Sequence, residues 1–126
     1  MTKFILITAS LLSGLSVAFG AFGAHALKAF LISNNRLETY QTAVQYQFFH
    51  ALALLFIGMY MQQIANTSIF KNAALVMLAG ILIFSGSLYL LCFTNKTYLG
   101  AITPIGGVCF IIAWVMVTVG FYKTLP

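Results

Sequence analysis

Long apolar runs separated by brief polar clusters set the pattern of the chain. Four runs stand out, at residues 4–24, 43–63, 73–93 and 104–122. None contains Lys, Arg, Asp or Glu. Each is close to the ~20 residues a helix needs to cross a bilayer core. Backbone groups in lipid must be paired within their own segment, so each run predicts a helix. The runs are continuously apolar, without two-residue alternation, which excludes a membrane β-barrel. The expected fold is all-α, a single domain over residues 1–126 that forms an integral membrane four-helix up-down bundle.

The connections refine this picture. His25 to Thr42 is the longest and holds Lys28, Arg36 and Glu38. Ala26 to Ile32 predicts a short interfacial helix between spans 1 and 2, with Lys28 snorkelling to the headgroups. Ser33, Asn34 and Asn35 end it, and Asn35 with Glu38 reads as a capping box for the second span. That helix is expected from near Arg36 to about Gln63, roughly 42 Å at 1.5 Å per residue, so its first turns must stand in the headgroup layer or tilt. Asn66, Thr67 and Lys71 make one turn, and Thr94 to Thr97 make another. Tyr98 to Ile102 is apolar but too short to span. Thr103 and Pro104 then predict a helix start, as N-cap and first helical residue. Lys3 ahead of an apolar run ending in Ala24, His25 and Ala26 has the form of a secretion signal. The run is longer than a usual signal core and three further spans follow, so it is read as a retained first span.

Composition narrows the class. Hydrophobic residues make up 62% and charged residues 6%, against about 25% charged in ordinary soluble domains. Two Cys are too few for a secreted disulfide scaffold. Six cations scattered along the chain do not make a nucleic-acid footprint. With four spans, Lys3, Lys71 and Lys123 share one side, and Lys28, Arg36 and Lys96 share the other. This even split does not orient the chain.

Lipid gives no hydrophobic drive to helix association, so small residues mark expected close contacts. These are Gly14, Gly20 and Gly23 in span 1, Gly80 and Gly86 in span 3, and Gly106 and Gly107 in span 4. Gly106, Ala113 and Gly120 recur seven apart along one face of the last span.

Polar residues converge at one membrane face, where spans 1 and 3 end and spans 2 and 4 begin. His25, Tyr46, Gln47, His50, Ser85, Ser87, Tyr89 and Thr103 define a candidate polar pocket, since polar groups inside a membrane face the bundle interior and often mark function. Tyr46 and His50 are i, i+4 neighbours, which predicts a hydroxyl-to-imidazole contact. His50 reads either as a proton carrier or ligand group, or as a histidine whose nitrogens are satisfied by neighbours. His25 and His50 are the only pair available for axial haem ligation. No zinc set is expected from two His and two Cys. Cys92 and Cys109 read as apolar thiols, with a disulfide as the alternative. No Asp is present to complete a Ser-His-Asp triad. No catalytic residue, metal or cofactor is therefore assigned.

Four ordered stretches carry a resemblance. They are Gly20 to Lys28, Thr42 to Leu52, Phe84 to Tyr89, and Thr103 to Gly107 followed by Trp114. Together they resemble the YgdD/YwdK-like family of small bacterial inner-membrane proteins, which has small eukaryotic transmembrane relatives. Ala113 departs from the glycine expected before Trp114. The resemblance implies a multi-pass, four-helix protein of the bacterial inner membrane and supplies no activity, substrate or cofactor. The leading expectation is a non-enzymatic scaffold, lipid-interacting or assembly component. Its partners would be the bilayer and further copies or other membrane proteins, with no nucleic acid. The alternatives are an oligomeric channel or transporter for a small solute, and a haem or redox module.

Overall fold

The computed structural model describes residues 1–125. Its elements are α1 (Thr2–Ala24), α2 (Lys28–Ser33), α3 (Leu37–Tyr60), α4 (Ser68–Thr94) and α5 (Leu99–Thr124). The four long helices are each apolar and long enough to cross a membrane. The short α2 falls between the first two spans as expected, over Lys28–Ser33 instead of Ala26 to Ile32.

The junction between α2 and α3 differs from the expected capping box. Asn35 adopts a left-handed backbone with φ 53°. Its N–H donates to Ile32 O at 3.0 Å, and the N–H of Arg36 donates to Leu31 O at 2.8 Å. This pair of bonds is a Schellman closure, with Asn in the position that favours Gly or Asn. Asn35 therefore ends α2 instead of starting α3, and Arg36 is the N-cap of α3 without a side-chain cap bond. Glu38 stays in the first turn of α3, where a carboxylate complements the helix dipole. The Arg36 guanidinium donates through Nε and Nη2 to Asn95 Oδ1, at 3.0 and 2.8 Å. Asn95 is the left-handed C-cap of α4, φ 54°, so one side chain ties the start of α3 to the end of α4.

The last helix also begins earlier than expected. Tyr98 is its N-cap and Leu99 its first residue, so Tyr98 to Ile102 forms the first turn, ahead of the start expected at Thr103 and Pro104. Pro104 lies inside α5, near its start. As the sixth residue of the helix it lies past the first turn where proline is tolerated, and its missing N–H forfeits the bond to Gly100 O. Thr103 is not a cap. Its hydroxyl faces α4 and is 2.8 Å from Ser87 Oγ.

Extensive contacts run α1–α3, α3–α4 and α4–α5, so spatial order follows chain order. The main apolar core lies toward the end that carries both termini. It is built from Ala9, Leu54, Phe70, Ala73, Met77, Ile81, Phe110 and Ala113. A smaller core of Leu31, Tyr40 and Cys92 sits at the other end.

Glycines set the closest approaches. A Cβ at Gly106 would lie 2.7 Å from Phe84 Cβ, and one at Gly80 would lie 2.7 Å from the Phe110 ring. Each helix thus leaves room for a bulky residue of the other. Gly23 lies under the Tyr40 ring, and Gly20 faces Val44. Gly58, against Leu6, is a further close approach without a marked small-residue stripe. Gly14 and Gly86 are corrections, because neither has any atom within 4 Å of a built Cβ. Gly107 has only ordinary contact with Phe84, at 3.9 Å. Small residues recur four apart twice along α1, as Ser10, Gly14 and Ala18 and as Ser16, Gly20 and Ala24; Gly20 of the second set faces α3 while Gly14 is exposed. In α4, Ser85 turns to α3 and Ser87 to α5, leaving Gly86 unpacked between them. Gly86→Leu is therefore expected to leave stability in mild detergent within about 0.5 kcal/mol of wild type. A large loss in its denaturation midpoint would show that this face is packed after all.

Candidate functional site

Most of the polar side chains expected to converge do so, but as paired bonds between helices instead of one open pocket. The longest chain of bonds crosses three spans. Tyr89 of α4 donates its hydroxyl to Gln47 Oε1 at 2.9 Å. Gln47 of α3 donates Nε2 to Leu12 O of α1 at 3.0 Å. Tyr40 Oη donates to Phe19 O at 2.8 Å. The Tyr89 ring packs edge-on against Phe19 and Tyr40, with centroids 5.2 and 5.4 Å away. Gln47 is 3% exposed, and at that burial an amide must use both its donor and acceptor sides.

Two shorter links continue the series. Ser85 Oγ donates to Ala43 O at 2.8 Å, joining α4 to α3. Ser87 and Thr103 share a bond at 2.8 Å, joining α4 to α5. Among the described residues, no buried side-chain nitrogen or oxygen lacks a partner. In lipid an unpaired polar group costs several kcal/mol, so these pairings also fix which faces meet.

His50 sits in a different environment. It is buried, and its ring stacks on Phe110 with centroids 3.6 Å apart. The Trp114 indole N–H donates to His50 Nε2 at 3.3 Å. Nδ1 lies 2.8 Å from Tyr46 O. A nitrogen that accepts carries no proton, so this pattern defines the neutral Nδ1–H tautomer, donating to Tyr46 O. The expected bond from the Tyr46 hydroxyl does not form. The Tyr46 ring instead stacks on Phe84 at 4.5 Å. Both imidazole nitrogens are engaged, so accepting a proton or a metal at Nε2 would first require Trp114 to leave.

His25 is the outlier. It is exposed at the C-terminal end of α1 and is not brought to the other members. His50 instead turns toward α5, so the two histidines do not frame a common ligand. No group of three or more His, Cys, Asp or Glu side chains is clustered for a metal ion among the described residues. Cys92 and Cys109 are free thiols.

Trp114, Phe110 and Tyr40 hold the site together but were not expected members. A signal existed for α5, where Phe110, Ala113, Trp114 and Val117 follow helical i, i+3, i+4, i+7 spacing. In an all-apolar helix that spacing marks no unique face. At the opposite end, where only a solvated turn was expected, Tyr60 Oη lies 3.0 Å from Thr124 Oγ1. Tyr60, Phe70 and Phe121 pack edge-to-face beside it.

Two grooves open on the outer surface beside these bonds. One, of about 420 Å³, runs along Tyr46, His50, Phe84, Gly107 and Trp114. The other, of about 270 Å³, lies between α1 and α3 over Gly20 and Gly23.

Four apolar spans knit by hydrogen bonds define a multi-pass α-helical membrane protein. The comparisons give the family: the chain belongs to the one described as "Protein of unknown function (DUF423)", whose model matches residues 19–107. It is 42% identical to the UPF0382 membrane protein YwdK of Bacillus subtilis (strain 168), over 98% of this chain and 99% of that one. It is 45% identical to a UPF0382 membrane protein of Staphylococcus aureus (strain bovine RF122 / ET3-1), over 96% of this chain and 97% of that one. This is the family that the four sequence motifs resemble. No solved structure matches the chain.

Proposed function

We propose that the protein is a non-enzymatic, lipid-interacting scaffold or assembly component of the bacterial inner membrane. The observation that carries this reading is how its polar groups are used. Gln47, Tyr89, Ser85, Ser87, Thr103 and His50 each bond to another helix or to the backbone. Bonds of this kind stiffen a bundle. The surface beside them carries apolar grooves turned to the bilayer, such as the one lined by Phe84, Gly107 and Trp114. A rigid core with lipid-facing grooves suits a protein that holds lipid, further copies of itself or other membrane proteins.

The test is purification from native membranes in mild detergent, followed by stepwise delipidation and native mass spectrometry. Phospholipid or a partner chain is expected to survive at fixed stoichiometry. Recovery of bare monomer with neither retained would sink the reading.

A further inference from the structure

The groove between α1 and α3 carries a more specific inference, which deepens the lipid-interacting reading and rests on it. Its α1 side is Ser16, Gly20 and Gly23, and its α3 side is Tyr40, Val44 and Phe48. Gln41 and Gln45 add the polar part of the α3 side. They are one helical turn apart and both exposed. Neither carboxamide has a hydrogen-bond partner among the described residues, in contrast to Gln47 with its two. Exposed amides on a membrane-spanning helix need a partner from outside the chain.

Depth identifies that partner. Helix α3 has 24 residues, about 36 Å at 1.5 Å per residue, against a hydrocarbon core of about 30 Å. Its polar first turn takes up the excess, which places Glu38 among headgroups. Gln41 lies one turn further in and Gln45 a second turn. Beyond them the slot becomes apolar, over Gly20 and Val17 beside Phe48. Glu38 is the one acid of the chain. It is exposed on the same helical side as Gln41 and Gln45, one turn above the groove in a hollow with Ile32, Asn35, Leu37 and Thr39, and no ion pair engages it among the described residues. Lys28, exposed at the start of α2, stands at the same end of the bundle.

Carboxylate, carboxamide, carboxamide and apolar slot follow one another down the helix. The complementary sequence is an ammonium, two ester carbonyls and an acyl chain. We infer that this groove seats an amine-headed glycerophospholipid. Its ammonium lies at Glu38, its ester carbonyls accept from Gln41 and Gln45, and one acyl chain fills the slot over Gly20. The carboxylate one turn above the groove disfavours an anionic headgroup there, so the site selects by headgroup charge as well as by shape.

The experiment exposes delipidated full-length protein to vesicles holding equal amounts of ethanolamine-headed and glycerol-headed phospholipid with identical acyl chains. Bound lipid is then counted by native mass spectrometry. Wild type is expected to prefer the ethanolamine lipid by about three- to fivefold, the upper part of the range of one exposed ion pair. Glu38→Gln should bring that preference to about one while both lipids still bind. The double variant Gln41→Leu/Gln45→Leu should lower retention of both lipids about tenfold, the effect of two lost hydrogen bonds. Both glutamines are exposed, so the variant should unfold at the wild-type midpoint. Gly20→Leu should fill the slot, whereas Gly20→Ala, whose Cβ would meet Val44 at 3.5 Å, should not. Wild type that binds both lipids equally, or glutamine variants that bind as wild type does, would overturn the site and leave the broader lipid reading standing. Wild type that retains neither lipid would overturn both.

Discussion

Gly106→Ala is expected to be among the most damaging single-methyl additions in the chain. The added Cβ would fall 2.7 Å from Phe84 Cβ and 2.8 Å from its Cα. Phe84 Cα is backbone of a regular helix, so no side-chain rotation relieves the overlap. Either α4 and α5 separate along their extensive interface, or both bend. The expected cost is about 3 kcal/mol, at the upper end for overpacking a close contact. It is read as the drop in the chemical denaturation midpoint of detergent-solubilised protein. Gly86→Ala is the control, because its methyl points into open space. Equal stability of the two variants would mean that α4 and α5 are not in backbone contact at Gly106.

Gln47→Leu is the second large effect. Leucine nearly conserves volume but removes the two bonds by which Gln47 ties α3 to α1 and α4. Leu12 O keeps the Ser16 hydroxyl at 2.8 Å, so the group left without a partner is the Tyr89 hydroxyl. An unsatisfied buried hydroxyl costs about 1–3 kcal/mol, and interhelical bonds in membranes average less, so about 1–2 kcal/mol is expected. A mutant cycle isolates the cause. Tyr89→Phe should cost little once Gln47 is Leu, because the hydroxyl it deletes has already lost its acceptor. Strict additivity of the two losses would show that Tyr89 does not depend on Gln47.

The spans were legible because lipid imposes an absolute rule. A backbone without water must pair with itself, and 20-odd apolar residues satisfy that rule in only one way. The gathering of Gln47, Ser85, Ser87, Tyr89 and Thr103 at one end was legible for a related reason, since span order and helix rise fix depth. Rotation about each helix axis was not legible. In a soluble helix the apolar stripe marks the buried face, but here every face is apolar. Gly14 and Gly20 looked equivalent, and so did Gly80 and Gly86, until packing separated them. His25 shared the depth of the other polar residues but not their direction. The partner of His50 lies 64 positions away in Trp114, and no local spacing could name it. The role of Asn35 was not legible either, because Asn serves both as an N-cap and as the left-handed residue that closes a helix.

The agreement between chain order and spatial order bears on biogenesis. As the ribosome delivers each span, its main neighbour among the earlier spans is already in the bilayer. Leu12 O is waiting when Gln47 arrives, Gln47 when Tyr89 arrives, and Ser87 when Thr103 arrives. The polypeptide can zip from its first helix to its last without any segment exchanging places.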